Sequence, residues 1–176
     1  MSVTKRLIGQ PAVISLGANL GDRQATLLSA TRELAETDGV ELTAISPVIE
    51  TAALRPSGVD HSAPAYLNAV ALITTTLTPE ALLDVLTRIE HAHGRIRAER
   101  WGDRTLDLDL VDFAGMVSSS DRLTLPHPRA FERDFVLKPW LAVDPDAVLP
   151  GHGRVADLVA GLDAGPGAGT IPGAGS

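Results

Sequence analysis

The sequence lacks cysteine, has few aromatic residues and contains no long apolar run, and these absences remove several classes of protein. Without cysteine the chain can form neither disulfide bonds nor thiolate metal sites. No segment approaches the roughly 20 consecutive apolar residues of a membrane-spanning helix. Gln10 and Pro11 interrupt the apolar stretch that follows the first cationic residues, which argues against a signal peptide. We therefore expect a cytoplasmic protein that does not associate with membranes.

An excess of positive charge is also lacking, because 22 acidic residues outnumber 15 basic ones and the formal net charge is -7. Such a surface repels nucleic-acid phosphates, so we expect no nucleic-acid partner. The 176 residues fit one ordinary domain. We assign residues 1–163 to this domain and expect a monomer. From residue 164 onward only Gly, Ala, Pro, Thr, Ile and Ser remain, which predicts a disordered tail over residues 164–176.

Hydrophobic spacing predicts alternating strands and helices. Strands are predicted for five segments, residues 12–16, 40–51, 66–76, 106–113 and 123–125. Helices are predicted from a cap at Asn19 or Asp22 to Gly39, from Thr78 to Gly94, and over residues 155–162. Residues 128–141 are expected to form a helix or a helical turn that is interrupted at Pro139, and residues 52–64 a long loop. The order β-α-β-β-α-β predicts an α+β fold with a split ferredoxin-like core.

Two aspartates on one predicted strand are the first chemical feature. Asp107 and Asp109 lie two residues apart, so both carboxylates point to the same face of the strand. Carboxylate oxygens on a rigid support suit Mg²⁺ better than a softer metal. The alternative is a solvated strand face, although aspartate is depleted in strands and two on one face repel each other. The pair alone leaves these two interpretations evenly balanced.

A cluster of arginines precedes the aspartates in this acidic chain. Its members are Arg95, Arg97, Arg100 and Arg104. Guanidinium groups bind phosphate oxygens bidentately and keep their charge, and a metal can neutralise the other side of a phosphate chain. The alternative is a solvated loop whose arginines pair with Glu99 and Asp103, and without the two aspartates it would be preferred. Arginines and aspartates together favour a nucleotide site.

The two glycine motifs that most often bind nucleotide phosphates are absent. The chain contains neither G-x-x-x-x-G-K-S/T nor G-x-G-x-x-G, so a bound triphosphate would be held by arginine and metal. Trp101 lies between Arg100 and Gly102, where its ring could stack on a flat heterocycle or cap an apolar edge. Taken alone, the tryptophan favours the apolar cap.

Several segments together resemble those of a known enzyme family. They are S-L-G-A-N-L-G-D at residues 15–22, Y-L-N-A at 66–69, Glu90 with G-R-I-R at 94–97, R-W-G-D-R-T-L-D-L-D-L at 100–110, and L-T-L-P-H at 123–127. In this combination the chain resembles 6-hydroxymethyl-7,8-dihydropterin pyrophosphokinase, collinearly from about residue 13 to about residue 162. The resemblance implies a ferredoxin-like α/β/α sandwich with a mostly antiparallel sheet. It also implies an enzyme of folate biosynthesis that transfers diphosphate from ATP to the pterin hydroxymethyl group and releases AMP.

The resemblance further implies roles for residues near the phosphates. Asp107 and Asp109 are expected to hold two Mg²⁺ ions, and Arg95 and Arg104 to stabilise charge on the transferring group. These four are the expected catalytic residues. ATP is expected to contact eight residues, of which His127, Arg133 and Arg97 bind the triphosphate. The other five are Thr87, Arg100, Leu110, Arg122 and Thr124.

The pterin site that the resemblance implies is built from aromatic and polar residues. Tyr66 and Phe135 are expected to stack on the pterin, and Asn68 can both donate and accept hydrogen bonds. The remaining expected pterin contacts are Thr51, Leu54 and Trp101. Three of the chain's six aromatic residues therefore fall in this one site.

The chain departs from the family pattern beside both expected sites. Ala52 and Ala53 stand where relatives often have two prolines, so we expect a looser loop at the pterin edge. Asp103 replaces a usual proline and places a negative charge beside Arg104. These departures bear on affinity more than on the type of reaction.

Two other functions fit the same residues. A metal-dependent phosphodiesterase would use the aspartates and arginines to hydrolyse phosphoesters without any pterin. A non-catalytic ferredoxin-like module would bind a pterin or a nucleotide without turnover. Release of AMP that depends on the pterin would distinguish the transferase from both.

Overall fold

A computed structural model describes residues 8–55, 58–60, 62, 65–94 and 105–164 of the chain. The strands are β1 (Gln10–Ala18), β2 (Val40–Ile45), β3 (Ile49–Thr51), β4 (Ala53–Arg55), β5 (Gly58–Asp60), β6 (Tyr66–Thr75), β7 (Asp107–Phe113), β8 (Ser118–Ser119), β9 (Thr124–Leu125), β10 (Val148–Leu149) and β11 (Gly153–Arg154). The α-helices are α1 (Arg23–Ala35), α2 (Pro79–Ala92), α3 (Asp134–Val143) and α4 (Val155–Asp163), and a 3₁₀ helix (Ala130–Glu132) precedes α3. None of the described helices is long and apolar enough to cross a membrane.

One antiparallel sheet forms the middle layer of the structure. Its strand order is β2-β6-β1-β7, and the short strand β3 also pairs with β6. Every pair in this sheet is antiparallel. Strand β6 lies between β1 and β2, and β1 lies between β6 and β7, so two split βαβ units interlock. The predicted α+β fold with a ferredoxin-like core is therefore confirmed.

Two apolar clusters on opposite faces of the sheet hold the layers together. Alternation along β1 sends Ile14 and Leu16 toward α1 and α2, and sends Val13 toward α3 and α4. The first cluster includes Leu27, Leu34, Leu82 and Leu86 from α1 and α2. The second includes Val136, Leu137, Trp140 and Val155 from α3 and α4. This arrangement is the expected α/β/α sandwich.

The first two helices begin at side-chain caps. The Asp22 carboxylate accepts a hydrogen bond from the Ala25 N–H at 3.1 Å, so Asp22 rather than Asn19 caps α1. The Thr78 hydroxyl accepts one from the Ala81 N–H, also at 3.1 Å. Each cap satisfies a backbone donor that has no partner within its helix, which is why the sequence signal located both helix starts correctly.

The segment between β2 and β6 is more ordered than the sequence predicts. The predicted strand over residues 40–51 divides into β2 and β3 around Pro47, which has no N–H to give to a ladder. The Ser46 hydroxyl accepts a hydrogen bond from the Val70 N–H at 2.8 Å near this break. The prediction of a loop over residues 52–64 is wrong in part, because β4 and β5 pair there. Pairing between β4 and β5 satisfies backbone N–H and C=O groups. The side-chain pattern of the segment gives no sign of this pairing.

Helix α3 continues through Pro139, so the predicted interruption at this residue is wrong. Proline removes one backbone hydrogen bond, and in a helix interior this costs roughly 3 kcal/mol. Val136, Leu137 and Trp140 of the same helix are buried against the sheet, as is Pro139 itself. Each fully buried apolar side chain contributes about 1.5–3 kcal/mol, so their packing outweighs the lost bond. Among the described two-residue strands, β9 lies in the predicted segment 123–125, whereas β8, β10 and β11 lie outside every predicted strand, because so short a strand shows little periodic pattern.

We predict that Thr78→Ala lowers the free energy of unfolding by about 1 kcal/mol, because it removes the cap of α2. Thr78→Ser keeps the hydroxyl and is the matched control, and it should leave the free energy of unfolding nearly unchanged because serine caps helices at least as well as threonine. Urea denaturation of both variants measures the difference. Equal destabilisation by alanine and serine would show that the cap contributes nothing.

Candidate active site

Strand pairing places the candidate site residues on one face of the sheet. Gly17 on β1 is opposite Asp107 on β7, and on its other side it is opposite Asn68 on β6. Further along, Thr51 on β3 pairs with Tyr66 on β6. Directly paired residues point to the same face of a sheet, here the face that α3 and α4 cover. The register therefore joins the predicted metal residues to the predicted pterin residues.

Gly17 lies at the centre of this surface, and its missing side chain makes room for its neighbours. A Cβ atom at this position would lie 3.3 Å from Asn68 Oδ1 and 3.7 Å from Tyr66 Cδ1. The first distance is tight for a carbon–oxygen contact, so a side chain here would push the amide away. Gly17 belongs to the S-L-G-A-N-L-G-D motif, but the sequence alone assigns it no role. Its role depends on a neighbour 51 positions away, which local spacing does not reveal.

Asn68 is fixed on the side of the site that the resemblance assigns to the pterin. Its side-chain amide donates a hydrogen bond to Thr51 Oγ1 at 2.8 Å, and the residue is only 4% exposed. One of the two N–H groups of the Asn68 amide is therefore already hydrogen-bonded within the protein. The carbonyl oxygen Oδ1 is the atom that approaches Gly17. The predicted residues Thr51, Tyr66 and Asn68 are therefore brought together by β3 and β6.

Asp109 lies beside a permanent cation and an imidazole. Arg133 Nη1 is 3.5 Å from Asp109 Oδ2, and His127 Nε2 is 4.0 Å from Asp109 Oδ1. The Arg133 guanidinium also lies over the Phe135 ring, 5.6 Å from its centroid. Through these contacts Arg133 connects the aspartate side of the site to an aromatic ring on α3. Two predicted ATP residues, Arg133 and His127, thus lie beside the predicted metal residue Asp109, and Arg133 also contacts the predicted pterin residue Phe135.

Burial holds His127 in the neutral form, and a backbone contact fixes which ring nitrogen carries the proton. The Arg129 N–H donates to His127 Nδ1 at 3.2 Å, so the ring proton belongs on Nε2, the nitrogen nearest Asp109. Burial, with a smaller contribution from the neighbouring Arg133, lowers the pKa of His127 to about 4, although Asp107 opposes the shift. Among the described residues beside Asp109, Arg133 therefore supplies a fixed guanidinium charge and His127 a neutral imidazole donor at neutral pH.

Glu90 supports the strand that carries the aspartates. It is only 3% exposed, and its Oε2 accepts a hydrogen bond from the Leu108 N–H at 3.2 Å. Leu108 lies between Asp107 and Asp109, so this bond attaches their strand to α2. Glu90 is one of the residues that carry the family resemblance, but the sequence alone assigns it no function. A buried carboxylate that accepts a backbone N–H is a strong anchor, because losing its partner would leave charge uncompensated.

Four other predicted ATP residues lie toward α2 and the β8–β9 hairpin. The Arg122 guanidinium forms an ion pair with Asp84 on α2, one helical turn before Thr87. Leu110 is 4% exposed and belongs to the apolar cluster beneath α1 and α2, on the face opposite the aspartates. Thr124 lies on β9 and is exposed. The predicted nucleotide residues therefore occupy two faces around the edge strand β7.

Several predicted site residues cannot be placed. Arg95, Arg97, Arg100, Trp101 and Arg104 lie outside the described residues, and so does the side chain of Leu54 on β4. Their roles stay predictions.

The Asp107 and Asp109 carboxylates suit Mg²⁺ both as oxygen ligands and in their number. Among the described residues, no group of three or more His, Cys, Asp or Glu side chains could hold a metal. Mg²⁺ is commonly held by one or two carboxylates together with substrate phosphates and water. Asp107 and Asp109 supply two such carboxylates on one strand face.

Comparison with known proteins gives one consistent family. The model of 7,8-dihydro-6-hydroxymethylpterin-pyrophosphokinase (HPPK) matches residues 13–145. The chain is 41% identical over 152 residues to the 2-amino-4-hydroxy-6-hydroxymethyldihydropteridine pyrophosphokinase of Methylorubrum extorquens, covering 86% of this chain and 93% of that protein. It is 38% identical over 148 residues to the Haemophilus influenzae enzyme of the same name, covering 84% and 90%.

A solved structure gives the same fold. A crystal structure of wild-type Plasmodium falciparum HPPK-DHPS with pteroate matches with a TM-score of 0.64 at 13% identity. The match covers 91% of this chain but 43% of the solved chain, so the chain spans less than half of that protein. At this identity the likeness concerns the fold.

We predict that His127 stays neutral between pH 6 and 8 and titrates near pH 4 in the ligand-free protein. Because its folded pKa lies below the unfolded value of 6.5, its contribution to stability is complete above pH 6.5 and is lost as the pH falls toward 4. An NMR titration of the imidazole Cε1–H signals, assigned with His127→Asn, measures this. A midpoint at 6 or above would contradict the burial argument.

Proposed function

The chain belongs to the 7,8-dihydro-6-hydroxymethylpterin-pyrophosphokinase family, and from this premise we propose that it transfers diphosphate from ATP to 6-hydroxymethyl-7,8-dihydropterin. The products are AMP and the pterin diphosphate, an intermediate of folate biosynthesis. The observation that carries the proposal is the register around Gly17, which brings Asp107 and Asn68 to one surface. Residues 1–163 are proposed as the catalytic unit, acting as a cytoplasmic monomer.

The pterin is proposed to bind over Gly17. Tyr66 and Phe135 supply aromatic faces for a flat ring system. Asn68 supplies hydrogen bonds from a buried position that Thr51 fixes at 2.8 Å. A site of this kind selects its ligand strongly, because a ligand without matching donors and acceptors leaves buried polar groups unpaired. Leu54 and Trp101 complete the proposed set.

The triphosphate is proposed to lie between the aspartates and the positively charged side chains. Asp107 and Asp109 would hold two Mg²⁺ ions, which when bound neutralise phosphate charge and polarise the transferring group. Arg133 can pair with a phosphate oxygen through a guanidinium that keeps its charge. His127 can donate from Nε2 as a neutral imidazole. Arg97 and Arg100 are proposed as further phosphate ligands.

The nucleoside is proposed to bind at the outer edge of β7. Thr87 and Arg122 lie near each other on the α2 side of this strand, through the pairing of Arg122 with Asp84. Leu110 offers an apolar contact and Thr124 a hydroxyl at the same edge. ATP would thus extend around β7, with its base toward α2 and its phosphates toward Asp107 and Asp109.

The reaction requires alignment and charge neutralisation more than covalent chemistry. The pterin alcohol attacks the β-phosphorus of ATP, and the bond to the α-phosphate oxygen breaks to release AMP. Asn68 and the aromatic rings are proposed to orient the alcohol. The Asp107 carboxylate, on the same face of the sheet, is proposed to assist loss of the alcohol proton. Arg95 and Arg104 are proposed to stabilise charge on the transferring group.

The proposed reaction is tested by release of AMP from ATP with Mg²⁺ and the hydroxymethyl pterin. Pterin-dependent AMP formation supports the transferase. Phosphoester hydrolysis without pterin would support the metal-dependent phosphodiesterase, and binding without turnover would support the non-catalytic module. Removal of divalent metal by EDTA should abolish turnover, and added Mg²⁺ should restore it.

We predict that Asp107→Asn and Asp109→Asn each lower kcat by about a thousandfold or more, because each removes a metal-binding charge. Asp112→Asn is the matched control on the same strand. Burial raises the pKa of Asp112, so the neutral amide is tolerated there and turnover should stay within about twofold. Turnover near the wild-type rate in either aspartate variant at positions 107 or 109 would contradict the assignment.

We also predict that Gly17→Ala raises the KM for the pterin by about tenfold, while the KM for ATP changes by less than about twofold. The added Cβ would lie 3.3 Å from Asn68 Oδ1 and displace the amide that orients the pterin. Steady-state kinetics with each substrate varied in turn measures both constants. An unchanged pterin KM would place the pterin elsewhere.

A further inference from the structure

Arg23 makes two long-range contacts that have no part in the proposed reaction. Its Nη1 donates a hydrogen bond to the Ala65 carbonyl oxygen at 2.6 Å. Its Nη2 lies 3.4 Å from the Glu50 carboxylate. These partners are 42 and 27 positions away in the sequence. One guanidinium therefore joins the start of α1 to both chain segments that border residues 52–64.

Each contact lies next to a proposed pterin residue. Glu50 precedes Thr51, and Ala65 precedes Tyr66. Thr51 and Tyr66 form the last pair of the β3–β6 ladder before the chain leaves the sheet. A tether on Ala65 fixes the direction in which the chain enters β6. It also limits fraying of the Thr51–Tyr66 pair, which strand ends otherwise undergo.

Helix preference does not account for an arginine at this position. Arg23 is the first residue of α1, and the first turn contains no acidic residue. A cation at a helix N-terminus is unfavourable because the helix dipole is positive there. The cap from Asp22 is made by the preceding residue and does not need Arg23. The long-range contacts are therefore the physical reason for a cation here.

We propose that Arg23 is a positioning residue for the pterin site, holding both ends of the 52–64 segment so that Thr51 and Tyr66 keep their register. The inference rests on the proposed function, because it takes the ligand at these two residues to be the pterin. Arg23 acts through Ala65 and Glu50 and does not itself contact the reacting atoms. It is thus a determinant of pterin affinity that acts through a backbone carbonyl and a neighbouring carboxylate.

The two contacts are unequal in strength. The Arg23 side chain is 30% exposed and the Glu50 side chain 60%, so solvent screens their ion pair. The bond to Ala65 is short, charge-assisted and partly buried, which makes it the stronger of the two. The loss of Glu50 alone should therefore have little effect compared with the loss of Arg23.

The test is the steady-state kinetics of four variants of the full chain with ATP and the hydroxymethyl pterin. Arg23→Ala should raise the pterin KM by about tenfold and the ATP KM by less than about twofold. Arg23→Lys keeps a charged donor group that can reach one partner at a time, and the pterin KM should stay close to the wild-type value. Glu50→Gln should change it by less than about threefold. Arg32→Ala removes an exposed cation from the last turn of the same helix and should leave both constants unchanged.

Hydrogen exchange gives a second measurement that does not depend on turnover. Amides of residues 52–66 should exchange faster in Arg23→Ala than in the wild-type chain, with α2 and β7 unchanged. If Arg23→Ala does not fold, Arg23→Gln, which keeps an N–H donor without the charge, replaces it in both measurements.

Three results would overturn the positioning role. These are an unchanged pterin KM in Arg23→Ala, an equal rise of the pterin and ATP constants, and unchanged exchange of residues 52–66. The proposed function fails separately, if the wild-type chain releases no pterin-dependent AMP. In that case the exchange measurement still decides whether Arg23 holds the segment.

Discussion

The pairing of β1 with β6 on one side and β7 on the other is the constraint on which the candidate site depends. Gly17 is opposite Asn68 in one ladder and opposite Asp107 in the other. A shift of either strand by one residue would turn these side chains to the opposite face. The apolar residues of β6 and β7 that pack against α1 and α2 oppose such a shift, because it would move Ile73 or Leu108 out of that cluster. The hydrophobic core thus determines which polar residues meet.

Electrostatics on this surface follows from what packs against it. Asp109 has Arg133 at 3.5 Å and the neutral His127 at 4.0 Å, both contributed by the segment that leads into α3. Glu90 anchors the strand of the aspartates from the other face, through the Leu108 N–H. Charged groups at the site are therefore held from both layers of helices. A triphosphate with its metal ions needs such fixed opposite charges, because phosphoryl-type transfer is governed mainly by alignment and neutralisation.

Much of the fold could be predicted from local signals. Helical spacing with the caps Asp22 and Thr78 located α1 and α2. An apolar, β-branched composition located β6, and partial alternation located β7. The predictions failed where distant contacts decide the outcome. Helix α3 passes Pro139 because buried neighbours compensate for the missing hydrogen bond, and β4 pairs with β5 in a segment whose composition favours a loop. Neither the packing around Pro139 nor the pairing of β4 with β5 can be predicted from local sequence patterns.

The sequence by itself determined the chemical types at the site and their local geometry. The two-residue spacing of Asp107 and Asp109 on a strand places both on one face, since alternation is a property of the extended backbone. The motif segments also indicated the family. Only the tertiary structure decided that Gly17 lies between Asn68 and Asp107, and that Arg23 reaches Ala65. These contacts join positions 42 to 90 residues apart, and the packing of the sheet against its helices, not local spacing, determines which of them form.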